Sequence, residues 1–151
     1  MVEVQEAFLW PDISTVDPAV AARNNDSLLL RLKFRNRTLL LPGDAEKQAE
    51  HVILEENSAN LRADVLKLGH HGSKNSTAQE FLDAVAPSMA IISLGEDNPY
   101  GHPSPELLER LKASGARVLR TDRDGAVHIL TSSNNSGVRN APTRSTPCCD
   151  R

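Results

Sequence analysis

The chain has 151 residues, a formal net charge of −3, 39% hydrophobic residues and 25% charged residues. This length and composition are typical of one globular domain with a single core. No apolar run is long enough to span a bilayer, and the first residues do not resemble a signal peptide, so a soluble chain is expected. The acidic balance argues against a broadly basic nucleic-acid-binding surface, so any such binding would depend on a metal or a local patch.

The composition changes at residue 132. Residues 132–151 are rich in Ser, Asn, Gly, Pro and Thr, and their three arginines against one aspartate give +2, which leaves −5 for the rest. Such a segment cannot bury enough apolar surface to fold, so we predict a folded domain over 1–131 and a disordered tail over 132–151. The adjacent Cys148 and Cys149 lie in this tail and do not make a disulfide framework.

The first third of the chain predicts strands and then a helix. Strands are expected at 2–10, 27–34 and 38–41, with a loop over 11–25 and a hairpin turn at 35–37. The apolar residues Ala45, Ala49, Val52 and Ile53 have the spacing of one helix face. Asp44 precedes this helix and is a candidate N-cap.

The remainder alternates strands and helices. Strands are predicted at 63–68, 89–94, 116–119 and 126–130, the last two around a turn at 122–125. Ser76 with Gln79, or Thr77 with Glu80, predicts a capping box that opens the second helix. The third helix is expected to begin at Ser104 and to end at Gly115. This alternation indicates an α/β layer architecture with buried strands.

Three polar loops each follow a buried strand. They contain Asp44 (LLLPGD), His70 and His71 (LKLGHHGS) and His102 (SLGEDNPYGHP). If the strands are parallel, the loops share one edge of the sheet, where functional groups of open α/β sheets gather. Aspartate and histidine are ligands for zinc or manganese in hydrolytic sites.

Each of these residues also has a structural interpretation. Asp44 could be only a helix cap, and His102 could serve only a tight turn. Since adjacent side chains diverge, one of His70 and His71 is expected to face the site while the other packs or donates a hydrogen bond.

Other basic residues are assigned to the surface. His51 and His128 are interpreted as surface or structural histidines. Four further cations could contact phosphates, but a solvated surface is the preferred interpretation: Lys67, Lys74, Arg35 and Arg37.

The order of the motifs resembles that of a known family. The segments NNDSLLLRL, LLLPGDAE, ADVLKLGHHGSKNST, PSMAIISLG, NPYGHPSPELLERL and RVLRTDRDGAVHI resemble the C-terminal part of the metallo-β-lactamase-like domain of ComEC-type competence proteins. The likeness spans about Val2 to Leu130. It implies half of an αββα sandwich, a mixed sheet with covering helices on a metal-dependent hydrolase scaffold. In that family the domain is attached to a DNA-uptake channel of the bacterial inner membrane, is expected outside the cytoplasm, and is thought to degrade the non-transported DNA strand.

The resemblance also implies roles for individual residues. Asp44 matches the metal-bridging aspartate, His70 the first histidine of the HHGS motif, and His102 the histidine of the YGHP motif, so these three are the expected metal-site residues. The motif match does not distinguish which histidine binds the metal directly and which one supports a ligand. His71 and His102 are the candidate catalytic residues, because either could protonate a leaving oxygen or orient a ligand. The expected cofactor is a divalent metal, zinc or manganese.

One motif of the family has no counterpart here. The N-terminal half of the family's domain carries a His-x-x-x-Asp-His motif, whereas no histidine precedes His51 in this chain. A two-metal site needs more ligands than one aspartate and two histidines, so the isolated chain is expected to be incomplete. Three functions stay open: a DNA phosphodiesterase that needs the missing N-terminal half, a non-catalytic half-domain that self-associates, and a phosphoester or lactone hydrolase of the same superfamily.

Overall fold

The computed structural model describes residues 4–11, 23–132 and 135–142. Within these ranges eight strands and four α-helices follow one another, with short 3-10 turns between them. In chain order they are β1 (Val4–Trp10), β2 (Leu29–Phe34), β3 (Arg37–Leu41), α1 (Lys47–Asn57), β4 (Val65–Lys67), α2 (Gln79–Val85), β5 (Met89–Ile92), α3 (Pro105–Ser114), β6 (Arg117–Arg120), α4 (Thr121–Asp124), β7 (Val127–Ser132) and β8 (Asn135–Pro142).

Six strands form one mixed sheet in the order β1-β2-β3-β4-β5-β6. β1 and β2, and β2 and β3, pair antiparallel, whereas β3 to β6 run parallel to one another. Parallel neighbours need crossover connections, and α1, α2 and α3 supply them. The predicted α/β class with a mixed sheet and covering helices is therefore confirmed, and the architecture is compatible with half of a layered sandwich.

The main core lies between one face of this sheet and the crossover helices. It is built from aliphatic side chains and one phenylalanine, as the scarcity of aromatics requires. Helix α1 contributes Ala49 and Ile53, and the buried residues of α2 and α3 are Phe81, Leu82, Val85, Leu107 and Leu111. A smaller cluster on the opposite face joins Val65, Met89, Ile91 and Leu119, with Val127 and Ile129 of β7 packed against it.

The expected ends of α3 are confirmed, but two predicted caps are wrong. The Ser104 hydroxyl accepts from the Leu107 N–H at 3.2 Å, and Gly115 ends the helix with a positive φ of 75°. Helix α1 begins at Lys47 with Glu46 at the N-cap, so Asp44 is not its cap.

The second wrong cap concerns α2, which begins at Gln79 without any side-chain cap from its own N-cap residue. Neither predicted capping box forms. The buried carboxylate of Glu50, on α1, accepts instead from the N–H groups of Thr77 and Ala78 at 2.5 and 2.8 Å. A side chain from a neighbouring helix thus satisfies the donors that a local serine or threonine was expected to satisfy.

The two strands predicted around the turn at 122–125 belong to different sheets. β6 pairs with β5 in the main sheet, and β7 pairs with β8 in a separate two-stranded sheet. β8 occupies residues that composition assigned to the disordered tail; its backbone groups find partners in β7, which composition cannot reveal. Residues 12–22 of the predicted loop, and Cys148 and Cys149, lie outside the described residues.

In the described ranges, no helix has both the length and the apolar character needed to cross a membrane.

Candidate functional site

The three polar loops meet at one edge of the sheet. Asp44 follows β3, the two histidines follow β4, and the loop of His102 follows β5. Because these strands are parallel and adjacent, their carboxyl ends point the same way. Together the loops enclose a cleft of about 530 Å³, lined by Asp44, His70, His71, Ser93, Leu94, Gly95, Asn98, Tyr100 and His102. The structure therefore brings together all four residues that the sequence singled out.

His71 is the histidine that lies beside the aspartate. Its Nε2 is 3.8 Å from the Asp44 Oδ1, and its Nδ1 is 2.6 Å from the carbonyl oxygen of Ser93. A carbonyl oxygen only accepts, so Nδ1 carries the proton and donates it. In the neutral ring, the unprotonated nitrogen is then Nε2, the one that lies 3.8 Å from the carboxylate oxygen.

His70 is oriented by a different carboxylate. Its Nδ1 lies 3.0 Å from the Glu46 Oε1, to which the Asn24 amide also donates at 3.4 Å. The His70 and His102 rings lie edge to face, with centroids 5.9 Å apart. His70 thus lines the cleft with a fixed ring, but the carboxylate that it contacts is that of Glu46.

His102 is held by its own loop. The Asn98 Oδ1 accepts from the His102 N–H at 3.0 Å, and the Asn98 Nδ2 donates to the His102 carbonyl at 2.9 Å. The Tyr100 ring stacks beside it at 6.0 Å. Burial lowers the pKa of His102, and the charges of His70 and His71 lower it further. The ring is therefore biased toward its neutral form, which suits a ligand or proton acceptor.

The histidine loop has a strained backbone. His70 and His71 have positive φ angles of 42° and 53°, a left-handed conformation that costs a non-glycine residue on the order of 1 kcal/mol each. Contacts with the other two loops hold it: the His70 N–H donates to the Gly43 carbonyl at 3.2 Å, and the Ser104 N–H donates to the Gly72 carbonyl at 2.9 Å. The three loops thus form one connected unit.

Lys67 and Arg37 are not solvated surface groups as expected. Lys67 is half-buried, its Nζ donates to the Gly43 carbonyl at 3.4 Å, and burial lowers its pKa while the Asp44 charge opposes that shift. Arg37 pairs with Asp64 at 2.6 Å. The other two cations fit the surface interpretation, since Lys74 and Arg35 are exposed.

The remaining histidines lie away from the cleft. His51 is exposed on α1 and pairs with Glu55 at 3.3 Å, and His128 is exposed on β7. The surface interpretation of both is confirmed.

Sequence reasoning missed three side chains of the site. Asn98 and Tyr100 belong to the NPYGHP motif, from which only the histidine was predicted to be functional, so the motif itself could have indicated them. Glu46 carried no signal, because it looked like an ordinary residue of the first helical turn.

The donor atoms of the cleft bear on the expected metal ion. No group of three or more His, Cys, Asp or Glu side chains is arranged to hold an ion in the described parts of the chain. Asp44 and His71 have suitable donor chemistry, and two coordination bonds of about 2.1 Å each could span their 3.8 Å separation. A complete zinc shell usually has four ligands, which is more than this pair provides.

The fold and the cleft define an α/β domain that carries one aspartate and three histidines at the carboxyl ends of its parallel strands. No family model matches the chain. It is 43% identical over 115 residues to ComE operon protein 3 of Bacillus subtilis (strain 168), covering 76% of this chain and 15% of that protein. It is 39% identical over 106 residues to Competence protein ComA of Neisseria gonorrhoeae, covering 70% of this chain and 15% of that protein.

A further relative is Recombination protein 2 of Haemophilus influenzae (strain ATCC 51907 / DSM 11121 / KW20 / Rd), 33% identical over 126 residues, which cover 83% of this chain and 16% of that protein. The chain belongs to this family of competence-related proteins. It spans about 15% of the length of the first two relatives.

Proposed function

We propose that the chain is the C-terminal half of a metallo-β-lactamase-type hydrolase domain that cleaves DNA phosphodiesters during competence DNA uptake. The observation that carries this proposal is the shared cleft of Asp44 and three histidines beyond the carboxyl ends of parallel strands. Membership of a competence-related family supports the biological setting.

Asp44 and His71 would supply the first metal ligands. The resemblance suggested His70, but the Nε2 of His71 lies 3.8 Å from the Asp44 Oδ1, and the Ser93 carbonyl keeps the proton on the other nitrogen of that ring. A bound zinc or manganese ion would lower the pKa of a bound water and polarise the phosphate. The missing ligands would come from the N-terminal histidine motif that the resemblance implies.

The other cleft residues would bind and orient the substrate. His102, biased toward its neutral form, suits proton acceptance or a further ligand position. Tyr100 is 78% exposed beside the cleft, and the free face of its ring could stack on a base of a single strand. Lys67, tied to the Asp44 loop, adds a positive charge close to this edge.

Metal binding by the chain itself is the first test. Manganese and zinc affinities are measured by chelator competition for the wild type, for Asp44→Asn and for His71→Gln. Each variant should weaken binding at least tenfold, whereas the control His51→Gln on the surface of α1 should not change it. Equal affinities for all four proteins would remove the basis of the proposal.

Cleavage is the second test. The chain is mixed with the corresponding N-terminal half of the B. subtilis relative and assayed with manganese on single-stranded DNA, a phosphomonoester and a lactone. We expect cleavage of DNA only when both halves are present, and its loss in Asp44→Asn. Turnover of the lactone or phosphomonoester without DNA cleavage would assign the domain to a different substrate class.

A second candidate function, association without catalysis, is favoured by the opposite face of the sheet. Phe8, Leu30 and Leu41 lie side by side across β1, β2 and β3, on the face away from the crossover helices, and Phe8 is 55% exposed. An apolar row of this kind is typical of a surface that a partner covers. Light scattering of the wild type and of Phe8→Ser tests it; a monomer with stoichiometric metal would argue against association.

A further inference from the structure

A second pocket lies at the opposite edge of the sheet from the histidine cleft. It has a volume of about 480 Å³ and is formed where β3, β4 and β5 begin. Thr38 at this edge and Asp44 at the other are six residues apart, which corresponds to roughly 20 Å of extended chain. The two sites are therefore separate, and this inference does not depend on the proposed function.

The pocket is basic in an acidic chain. In the part of the chain that the structure describes, Arg31, Lys33 and Arg62 line it against a single carboxylate, that of Asp64. This carboxylate is already engaged, since it accepts from Arg37 at 2.6 Å and from the Thr38 N–H at 2.8 Å. Within the described residues, none of the three lining cations forms an ion pair.

Arg31 carries a donor that the described residues leave unsatisfied. It stands opposite Leu40 across β2 and β3, on the face that the crossover helices cover. Its Nε is buried and has no hydrogen-bond partner among the described residues. Buried donors are rarely left unpaired, so this nitrogen is a natural partner for an incoming acceptor.

We propose that this pocket binds a phosphate group. Guanidinium groups match phosphate oxygens with paired donors, and Lys33 adds a point charge. Among the described residues, no aromatic side chain lines the pocket, so a base would find no stacking platform there and recognition would rest on the phosphate. The phosphate could belong to a nucleic-acid backbone or to a small free anion, and the chemistry is the same.

The test titrates the full chain with inorganic phosphate, pyrophosphate and a short oligothymidylate, with a metal chelator present so that no ion in the histidine cleft binds the anion. Nuclear magnetic resonance follows the amide signals. We expect the largest changes at Thr38, Ala63 and Ser88, and little change at His70 or His71. Chemical shift changes confined to the histidine cleft would overturn the proposal.

Variants then separate the pocket from general surface charge. Arg62 is exposed, so Arg62→Gln should fold normally and weaken phosphate binding at least tenfold. Arg31→Lys keeps the charge but removes the Nε donor, and should weaken binding as well. The matched control is Arg117→Gln, an exposed arginine of β6 outside the pocket. An equal loss in the control, or no loss in either pocket variant, would refute the site.

The ligands distinguish the two phosphate sources. Tighter binding of the oligothymidylate than of pyrophosphate, with a salt dependence that falls by about one unit of log–log slope in Arg62→Gln, identifies a nucleic-acid backbone. If inorganic phosphate or pyrophosphate binds and the oligothymidylate does not, the ligand of the pocket is a free anion. Absence of binding by all three would show that the pocket is not a phosphate site.

Discussion

The buried carboxylate of Glu50 connects α1 to the turn that precedes α2, and Glu50→Gln tests this connection. In the wild type it accepts two N–H bonds from residues just before α2, at 2.5 and 2.8 Å. The Arg110 guanidinium donates to the carbonyls of Ser76 and Thr77 at 3.2 Å each, which holds the same turn from the other side.

The size of the effect follows from these bonds. Glutamine keeps one acceptor oxygen but turns an amide NH2 toward the second donor, so one buried bond to a charged group is lost, about 1.5–3 kcal/mol. For a chain of this size that corresponds to a fall in Tm of roughly 3–12 °C. Glu55→Gln, an exposed position of the same helix, is the matched control and should change stability by less than about 0.5 kcal/mol.

The pH dependence gives an independent check of the same reasoning. Burial raises the pKa of Glu50 above its ordinary 4.5, although the two N–H bonds and the charges of Arg110 and Lys47 oppose the shift. The folded state therefore holds a proton on the Glu50 carboxyl more tightly than the unfolded state does. The stabilisation that this proton provides is fully present below pH 4.5 and is lost as the pH rises through the folded-state pKa of Glu50. The wild type should therefore lose part of its advantage in stability over Glu50→Gln as the pH rises from 4.5 through the folded-state pKa of Glu50.

Thermal unfolding followed by circular dichroism at several pH values measures both effects. Equal Tm values for Glu50→Gln and Glu55→Gln would show that the two hydrogen bonds contribute nothing. A stability difference that grows as pH rises above 4.5 would show that the assigned direction of the Glu50 shift is wrong.

Three further predictions concern the loops of the cleft. Gly72→Ala should lower stability by about 1–3 kcal/mol in denaturant unfolding, because the φ of Gly72 is +85° and an added Cβ would lie 2.8 Å from the Pro103 side chain. Gly95→Ala should be nearly neutral, because an added Cβ there would have no described neighbouring atom within 4 Å. The His102 ring should titrate below 6.5 by nuclear magnetic resonance, and its pKa should rise in His70→Gln; an unchanged value would contradict the assigned charge effect. A carboxylate oxygen only accepts, so the contact with Glu46 favours a proton on the Nδ1 of His70. Glu46→Ala should abolish this preference in long-range ¹⁵N spectra, and an unaltered tautomer would show that this carboxylate does not orient the ring.

The local sequence determined much of the fold and the membership of the site. Apolar runs predicted the strands of the main sheet, and four of the six runs are followed by Gly or Pro. Ser104, Pro105 and Gly115 marked the third helix, because these caps depend on neighbouring backbone groups. Asp44 and the three histidines were singled out because each polar loop follows a buried strand, and parallel strands bring such loops to one edge.

Only the tertiary structure decided which side chains of the cleft contact each other. Asp44 lies beside His71, while His70 is held by Glu46, since the left-handed turn of the loop depends on contacts with Gly43 and Ser104 that are distant in sequence. The same holds for the cap of α2 and for the pairing of β7 with β8. Hydrogen-bond partners that come from other elements of the fold leave no periodic pattern in the chain, so they become visible only when the elements are packed together.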